Sequence, residues 1–293
     1  MASIAVALML IGLKLWAAYQ TSSTAMLGSL ADSGLDLVAS LIILAGVRVA
    51  AQPADHDHRF GHGKAEALAS LIQVILITLS ALFIAVRAVQ RLLAGARTEQ
   101  AELGIGVSIV AMGLTMLLIA YQRRIIRRTG SLAISTDRLH YSSDLLLNGS
   151  VIIALVLDQF LGLVGADALF GLLIACWLGW GAFQASAQSI NQLMDREWPE
   201  EDRQAFMAAC RDYPELAGLH DLRTRTSGTH QFVQFHVWVP GDWTVRQAHD
   251  RIDRVELDLQ KRFPGTEILI HLDPEGHTDR ETMLPSDITE QAT

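Results

Sequence analysis

Two pairs of ionisable residues stand inside runs that are otherwise apolar: Asp32 with Asp36, and His140 with Asp144. Each pair is spaced i, i+4, which on a helix puts both side chains on one face. Three carboxylates and one imidazole make a four-coordinate donor set for zinc or a similar divalent ion. Three negative charges held together away from water repel one another, so a bound dication or protons must balance them. Ionisable residues in a membrane span are costly and mark a pathway. The alternative for a single residue, Asp32 or Asp144, is a helix cap or a water-filled crevice; two matched pairs argue against it for the set.

Two further groups carry metal-ligand residue types. The run Asp55-His56-Asp57-His58-Arg59-Phe60-Gly61-His62 clusters aspartate and histidine as transition metals require, the alternative being a solvated loop. The last third of the chain carries His220, His236, His249 and His271 with Asp273. Taken singly, each of these histidines is more commonly a surface or core residue than a ligand.

The elements that must hold these residues follow from composition. The chain has 293 residues, 51% of them hydrophobic and only 18% charged, less charge than a soluble domain of this size usually has. Most of the charge follows Met194, so the net charge of −8 describes the C-terminal third. No basic stripe with interleaved aromatics is present, which excludes nucleic acid as a partner. Cys176 and Cys210 form neither a disulfide framework nor a CxxC knuckle and read as small apolar side chains.

A membrane helix needs roughly 20 mostly apolar residues. Six runs qualify, at about 2–20, 25–50, 65–93, 103–126, 132–157 and 165–190. The first lacks a basic leader region and a cleavage site, so it reads as a membrane helix and not a signal peptide. Gln52-Pro53 ends the second run, since proline cannot continue a helix.

Lys/Arg bias sets orientation. Arg48, Arg59 and Lys64, then Arg123, Arg124, Arg127, Arg128 and Arg138, then Arg196 fall on one side, which places that side and both termini in the cytoplasm. Arg87, Arg91 and Arg97 fall on the other side, so the bias is a majority. At about 1.5 Å per residue, Asp36 comes level with His140 and Asp32 with Asp144, provided the fifth helix starts near Leu132. The pair Asp137-Arg138 makes that entry point the weakest part of the register.

After Met194 the pattern becomes helix over 199–213, strands over 219–225 and 232–239, amphipathic helix over 245–263 and strand over 267–272. The order αββαβ suggests a small ferredoxin-like α+β domain with helices on one face of a sheet. The expected organisation is a six-helix transmembrane domain (1–194), a cytoplasmic domain carrying the histidine group (195–275), for which metal binding and dimerisation are what the family resemblance given below implies, and a disordered tail (276–293).

The run Gly28-Ser29-Leu30-Ala31-Asp32-Ser33-Gly34-Leu35-Asp36 is distinctive. Together with the HxxxD at His140–Asp144 and the stretch from Gln52-Pro53-Ala54-Asp55 through Phe60-Gly61-His62-Gly63-Lys64-Ala65-Glu66, it resembles the cation diffusion facilitator family. The likeness runs from the first helix to about Asp273 and implies a homodimer in the bacterial inner membrane with a metallochaperone-like cytoplasmic domain. It further implies that cytosolic Zn2+, Fe2+ or Cd2+ is exchanged for protons by alternating access, with metal also a regulatory ligand and no cofactor required. By the same resemblance Asp55, His58 and His62 form a peripheral site. His220, His236, His249, His271 and Asp273 form a binuclear site bridged by Asp273, although Leu272 stands where some relatives have a polar residue. Lys64 and Asp195 resemble a charge pair joining the two protomers at the membrane–cytoplasm junction. Two rival classes remain. An intramembrane metalloenzyme is disfavoured because HExxH is absent and a fourth protein ligand closes the site; a membrane-anchored metal sensor differs from a transporter in moving no metal.

Overall fold

The computed structural model describes residues 1–21, 24–94, 104–161 and 165–276. The chain divides into two compact units, Met1–Ile190 and Asn191–Thr293.

Among the described residues the first unit is built of α1 (Ala2–Thr21), α2 (Thr24–Ala50), α3 (Ala65–Ala94), α4 (Gly104–Thr129), α5 (Leu132–Leu161) and α6 (Ala166–Leu193). Four of these are long and apolar enough to cross a membrane, through Ser33–Ala50, Ala65–Leu93, Ile109–Thr129 and Ala168–Leu193. The expectation of six spans is met by composition in only those four. In α1 the apolar stretch is the shorter Ala2–Trp16. Helix α5 carries Asp137, Arg138, His140 and Asp144, the polarity that gives it chemistry and costs it hydropathy. Arg138, counted in the sequence among the cations of the cytoplasmic side, lies inside α5.

Helix α2 packs on α1, α3 and α5, while α5 also packs on α3 and α4. Val74, Ile77 and Ala81 of α3 share an apolar cluster with Ile174, Leu178 and Ala182 of α6. Away from these seams α3 exposes Leu68, Ile72, Ile75, Leu79, Leu82 and Phe83, an apolar surface suited to lipid chains. Small residues let membrane helices approach closely, and a Cβ added to Gly46 of α2 would lie 2.2 Å from the Cβ of Ala69 on α3. Gly46→Leu is therefore expected to cost about 1–3 kcal/mol through overpacking, read as a lower melting temperature of the detergent-solubilised protein; an unchanged melt would contradict this helix contact.

The second unit contains α7 (Glu200–Cys210), a short 3-10 turn (Pro214–Leu216), β1 (His220–Ser227), β2 (His230–Val239), α8 (Val245–Arg262) and β3 (Thr266–Pro274). Glu200, Glu201 and Asp202 occupy the first turn of α7, where the helix dipole favours negative charge. A capping box between Thr244 and Gln247 starts α8. The sheet runs in the order β1-β2-β3. β2 is antiparallel to β1 and parallel to β3, so α8 is the crossover. Alternation sends Val233, Phe235 and Val237 of β2 into a core with Phe206 of α7 and Ile252, Val255 and Leu259 of α8. His236 and Trp238 alternate with those residues and belong to the opposite face. The proposed tail beyond residue 276 lies outside the described residues.

Candidate metal centres

The first centre lies between α2 and α5. Asp36 and His140 come from sequence positions 104 apart, yet His140 Nε2 is 2.9 Å from Asp36 Oδ1. Asp144, one turn along α5, brings Oδ2 to 3.8 Å from the same nitrogen. Ligand atoms of Asp36, His140 and Asp144 all fall within 4.8 Å of one another. Asp32 belongs to α2 one turn before Asp36, and its side chain lies outside the described residues. The ring beside His140 is held as well: Tyr141 is buried, and its hydroxyl is 2.9 Å from Ser40 Oγ on α2. That contact ties the two ligand-bearing helices together one turn from the cluster.

The second centre occupies the loop between α2 and α3. Asp55 Oδ1 is 3.2 Å from His58 Nδ1, and Asp55 Oδ2 is 3.2 Å from His62 Nε2. The two imidazole rings are 4.5 Å apart between centroids. The backbone N–H of His58 donates to Asp55 Oδ1, and this is the chief reason the Asp55 carboxyl sits below its ordinary value. Pro53 O lies 3.2 Å from His62 Nδ1. With that nitrogen protonated, Nε2 keeps its lone pair towards Asp55, the arrangement of an oriented ligating histidine. His56 and Asp57 share the loop but not this cluster.

The third centre is assembled by strand register. His220 pairs with His236 across β1 and β2, and His236 pairs with His271 across β2 and β3. Asp273 follows His271 by two residues and so shares its face. Asp273 Oδ2 is 2.8 Å from His236 Nδ1 and 3.3 Å from His220 Nε2, while Oδ1 is 3.3 Å from His271 Nε2. His220 Nδ1 lies 2.9 Å from Gly218 O, which orients that ring in the same way as His62. Residues His220, His236 and Asp273 form the compact group; His271 joins through the second carboxylate oxygen. His249 stands apart on α8 with its side chain 72% exposed, beside Asp250.

Burial raises the Asp273 carboxyl, but the hydrogen bond with His236 and the charges of His236, His271 and His220 outweigh it, leaving its pKa below 3.8. A carboxyl depressed by folding contributes stability above its unfolded value and loses it as pH falls through the folded value. In metal-free protein the stability difference between wild type and Asp273→Asn is thus expected to be largest above the ordinary carboxylate range and to shrink as pH falls through it. Chemical denaturation at a series of pH values measures it, and a difference that grew on acidification would refute the assignment.

Lys64 lies in the turn before α3, in the first unit, and Asp195 follows α6, in the second. Asp195 Oδ1 is 3.7 Å from Arg225 Nη1 within its own unit. Sequence reasoning missed Ser40 and Tyr141, and it missed Glu66, a buried carboxylate at the start of α3. Glu66 accepts hydrogen bonds from Ser131 Oγ and from the Ala133 N–H at the start of α5.

A bundle of long apolar helices with a carboxylate–imidazole cluster, followed by a small α+β unit with another, defines a membrane protein that handles metal cations. The chain belongs to the cation efflux family: residues 1–194 match its transmembrane domain and residues 198–275 match the cytoplasmic domain of cation efflux proteins. This is a family of transporters and not of enzymes. Among similar proteins, the cation-efflux pump FieF of Shewanella oneidensis is 45% identical over 273 residues, 93% of this chain and 92% of that protein. FieF of Serratia proteamaculans is 42% identical over 274 residues, 94% of this chain and 91% of that protein. The solved metal-bound C-terminal domain of the CzcD transporter from Thermotoga maritima is 27% identical, covering 27% of this chain and 95% of that chain with a TM-score of 0.26.

Proposed function

We propose that the protein exports a divalent transition metal from the cytoplasm in exchange for protons, with zinc the main substrate and ferrous iron or cadmium also carried. The observation that carries this reading is the 2.9 Å contact between His140 Nε2 and Asp36 Oδ1 across two helices. Without metal, that contact needs a proton between the nitrogen and the carboxylate. A metal ligated by the same two atoms requires the proton to leave, because ligating imidazole is neutral and ligating carboxylate ionised. One pair of atoms therefore holds either a proton or a metal. Alternating access follows if metal loading is favoured from the cytoplasm and protons displace it on the far side.

Asp32 completes the donor set of Asp36, His140 and Asp144 in this reading. The mixed oxygen and nitrogen ligands suit zinc and ferrous iron and do not by themselves separate them. The loop site of Asp55, His58 and His62 and the cytoplasmic site of His220, His236, His271 and Asp273 bind metal as regulatory ligand; His249, apart from that group within one chain, joins it by the family resemblance alone. The protein works as a homodimer in the bacterial inner membrane with both termini cytoplasmic, Lys64 and Asp195 forming its charge pair at the junction.

The test is zinc uptake into proteoliposomes with and without an imposed pH gradient. Uptake driven by the gradient is the expected result. A wild type that binds zinc but moves neither zinc, cadmium nor ferrous iron would overturn the reading in favour of a membrane-anchored metal sensor.

A further inference from the structure

Lys14 is the one charged residue of α1. A lysine within a membrane span is costly; it either runs its flexible stem to water at the helix end or turns into the bundle towards negative charge. Lys14 is turned inward. Its Nζ donates to Ser33 Oγ of α2 at 2.7 Å, and Ser33 is fully buried. The end of α1, at Thr21, is seven residues further on, about 10 Å along the helix.

Ser33 belongs to the stripe of α2 that carries the metal centre. Ser33, Asp36 and Ser40 are spaced i, i+3, i+7, which sets them on one side of the helix. Asp36 meets His140 and Ser40 meets Tyr141, so that side faces α5. The two helices run in opposite directions, since Val47 shares a cavity wall with Ile134 while Asp36 meets His140. Ser33 on α2 and Asp144 on α5 therefore stand on the same side of the Asp36–His140 contact, about one turn beyond it. Lys14 is anchored at that end of the donor set.

The helices that pack on α1 are α2 and α4. The charged residues of α2 are Asp32, Asp36 and Arg48, with Arg48 in the last turn. Those of α4 are Arg123, Arg124, Arg127 and Arg128, all in its last two turns. The acidic residues of these two helices are thus the ligand aspartates alone. A dication at the centre and the ammonium of Lys14 draw on the same carboxylate charge, and they repel each other where water is scarce. The charge balance that the sequence left to metal or protons has a third contributor, from a third helix.

We propose that Lys14 is a release residue of the transport centre: a tethered cation that takes up the negative charge of the α2 aspartates as metal leaves and weakens the hold on metal while it is bound. The centre then need not empty to bare carboxylates, and a donor set of such charge does not trap its cargo. This inference rests on the transport reading above, in which the Lys14 end of the centre is the extracytoplasmic one, where metal departs.

The test uses the full-length protein in proteoliposomes, with initial rates of zinc uptake measured over a range of zinc concentrations. Lys14→Gln removes the charge and keeps a donor for Ser33; KM and kcat are each expected to fall at least about fivefold, because metal is held more tightly and leaves more slowly. Lys14→Met is expected to behave alike. Lys14→Arg keeps the charge and is expected to stay within about threefold of wild type in both constants. A lysine that only braces α1 against α2 predicts a different pattern, a lower kcat with KM unchanged or raised. That pattern in the neutral variants, neutral variants that match wild type, or a Lys14→Arg as altered as they are, would each overturn the release role while wild-type transport stands. Neutral variants that fail to assemble while Lys14→Arg assembles would overturn it too, by making the charge a requirement of folding. A wild type that moves no zinc in the same vesicles would overturn the transport reading and the release role with it.

Discussion

Asp36→Ala is expected to abolish metal uptake, by more than about 100-fold, while the protein still assembles and its cytoplasmic unit still binds metal. Loss of the partners that merely orient a ligand costs about 10- to 100-fold, and Asp36 is itself the atom facing His140 Nε2 at 2.9 Å. In the proposed exchange the variant also deprives His140 of its carboxylate partner, so both the metal and the proton half are expected to fail together. Asp36→Asn should be as inactive, because an amide cannot supply the negative charge that pairs with a dication. Asp36→Ala with a normal gel-filtration profile and more than a tenth of wild-type uptake would remove this cluster from the transport path.

Glu66→Ala is expected to cost about 2–4 kcal/mol of stability, since hydrogen bonds to a buried charge are worth about 1.5–3 kcal/mol each. Glu66 accepts from Ser131 Oγ and, at 3.1 Å, from the Ala133 N–H. Ser131 Oγ in turn accepts from the Ile134 N–H, making Ser131 the N-cap of α5. A carboxylate at a helix N-terminus also meets the positive end of its dipole. The residue thus pins the start of the helix that carries Asp137, His140 and Asp144. Removing it leaves buried donors unsatisfied, so the melting temperature should fall, and uptake should fall with it because the ligands of α5 lose their fixed register. Glu66→Gln retains one acceptor and should lie between the two. An alanine variant that melts like wild type would show that α5 is held by other means.

Much of the architecture was legible because it rests on local pattern. Pairs at i, i+4 inside apolar runs pointed to Asp36, His140 and Asp144, and the register argument needed only the rise of a helix and a start near Leu132, where α5 does begin. The αββαβ order was readable from the switch between alternating and helical periodicity. What stayed hidden depends on partners far away in sequence. Asp137 looked like a reason to doubt where α5 enters the membrane; it is inside the helix and buried because Ser3 and Gln122, on two other helices, donate to it. Glu66 looked like one more polar residue of a loop motif, since nothing local shows that it reaches Ser131. His249 could be grouped with the other histidines only by resemblance, because residue type does not tell whether a helical histidine faces a sheet of histidines or solvent. Hydropathy falls where chemistry is densest: α5 is not among the four described helices apolar enough to cross a membrane.

The central claim is that one cluster trades metal for protons, and the most direct measurement is proton movement driven by metal alone. Proteoliposomes loaded with a pH-sensitive dye, at equal pH on both sides, are given an inward zinc gradient. The lumen of wild-type vesicles is expected to become more alkaline as zinc enters and protons leave, with no change in vesicles carrying Asp36→Ala. Zinc entry into wild-type vesicles with no proton movement would contradict the account.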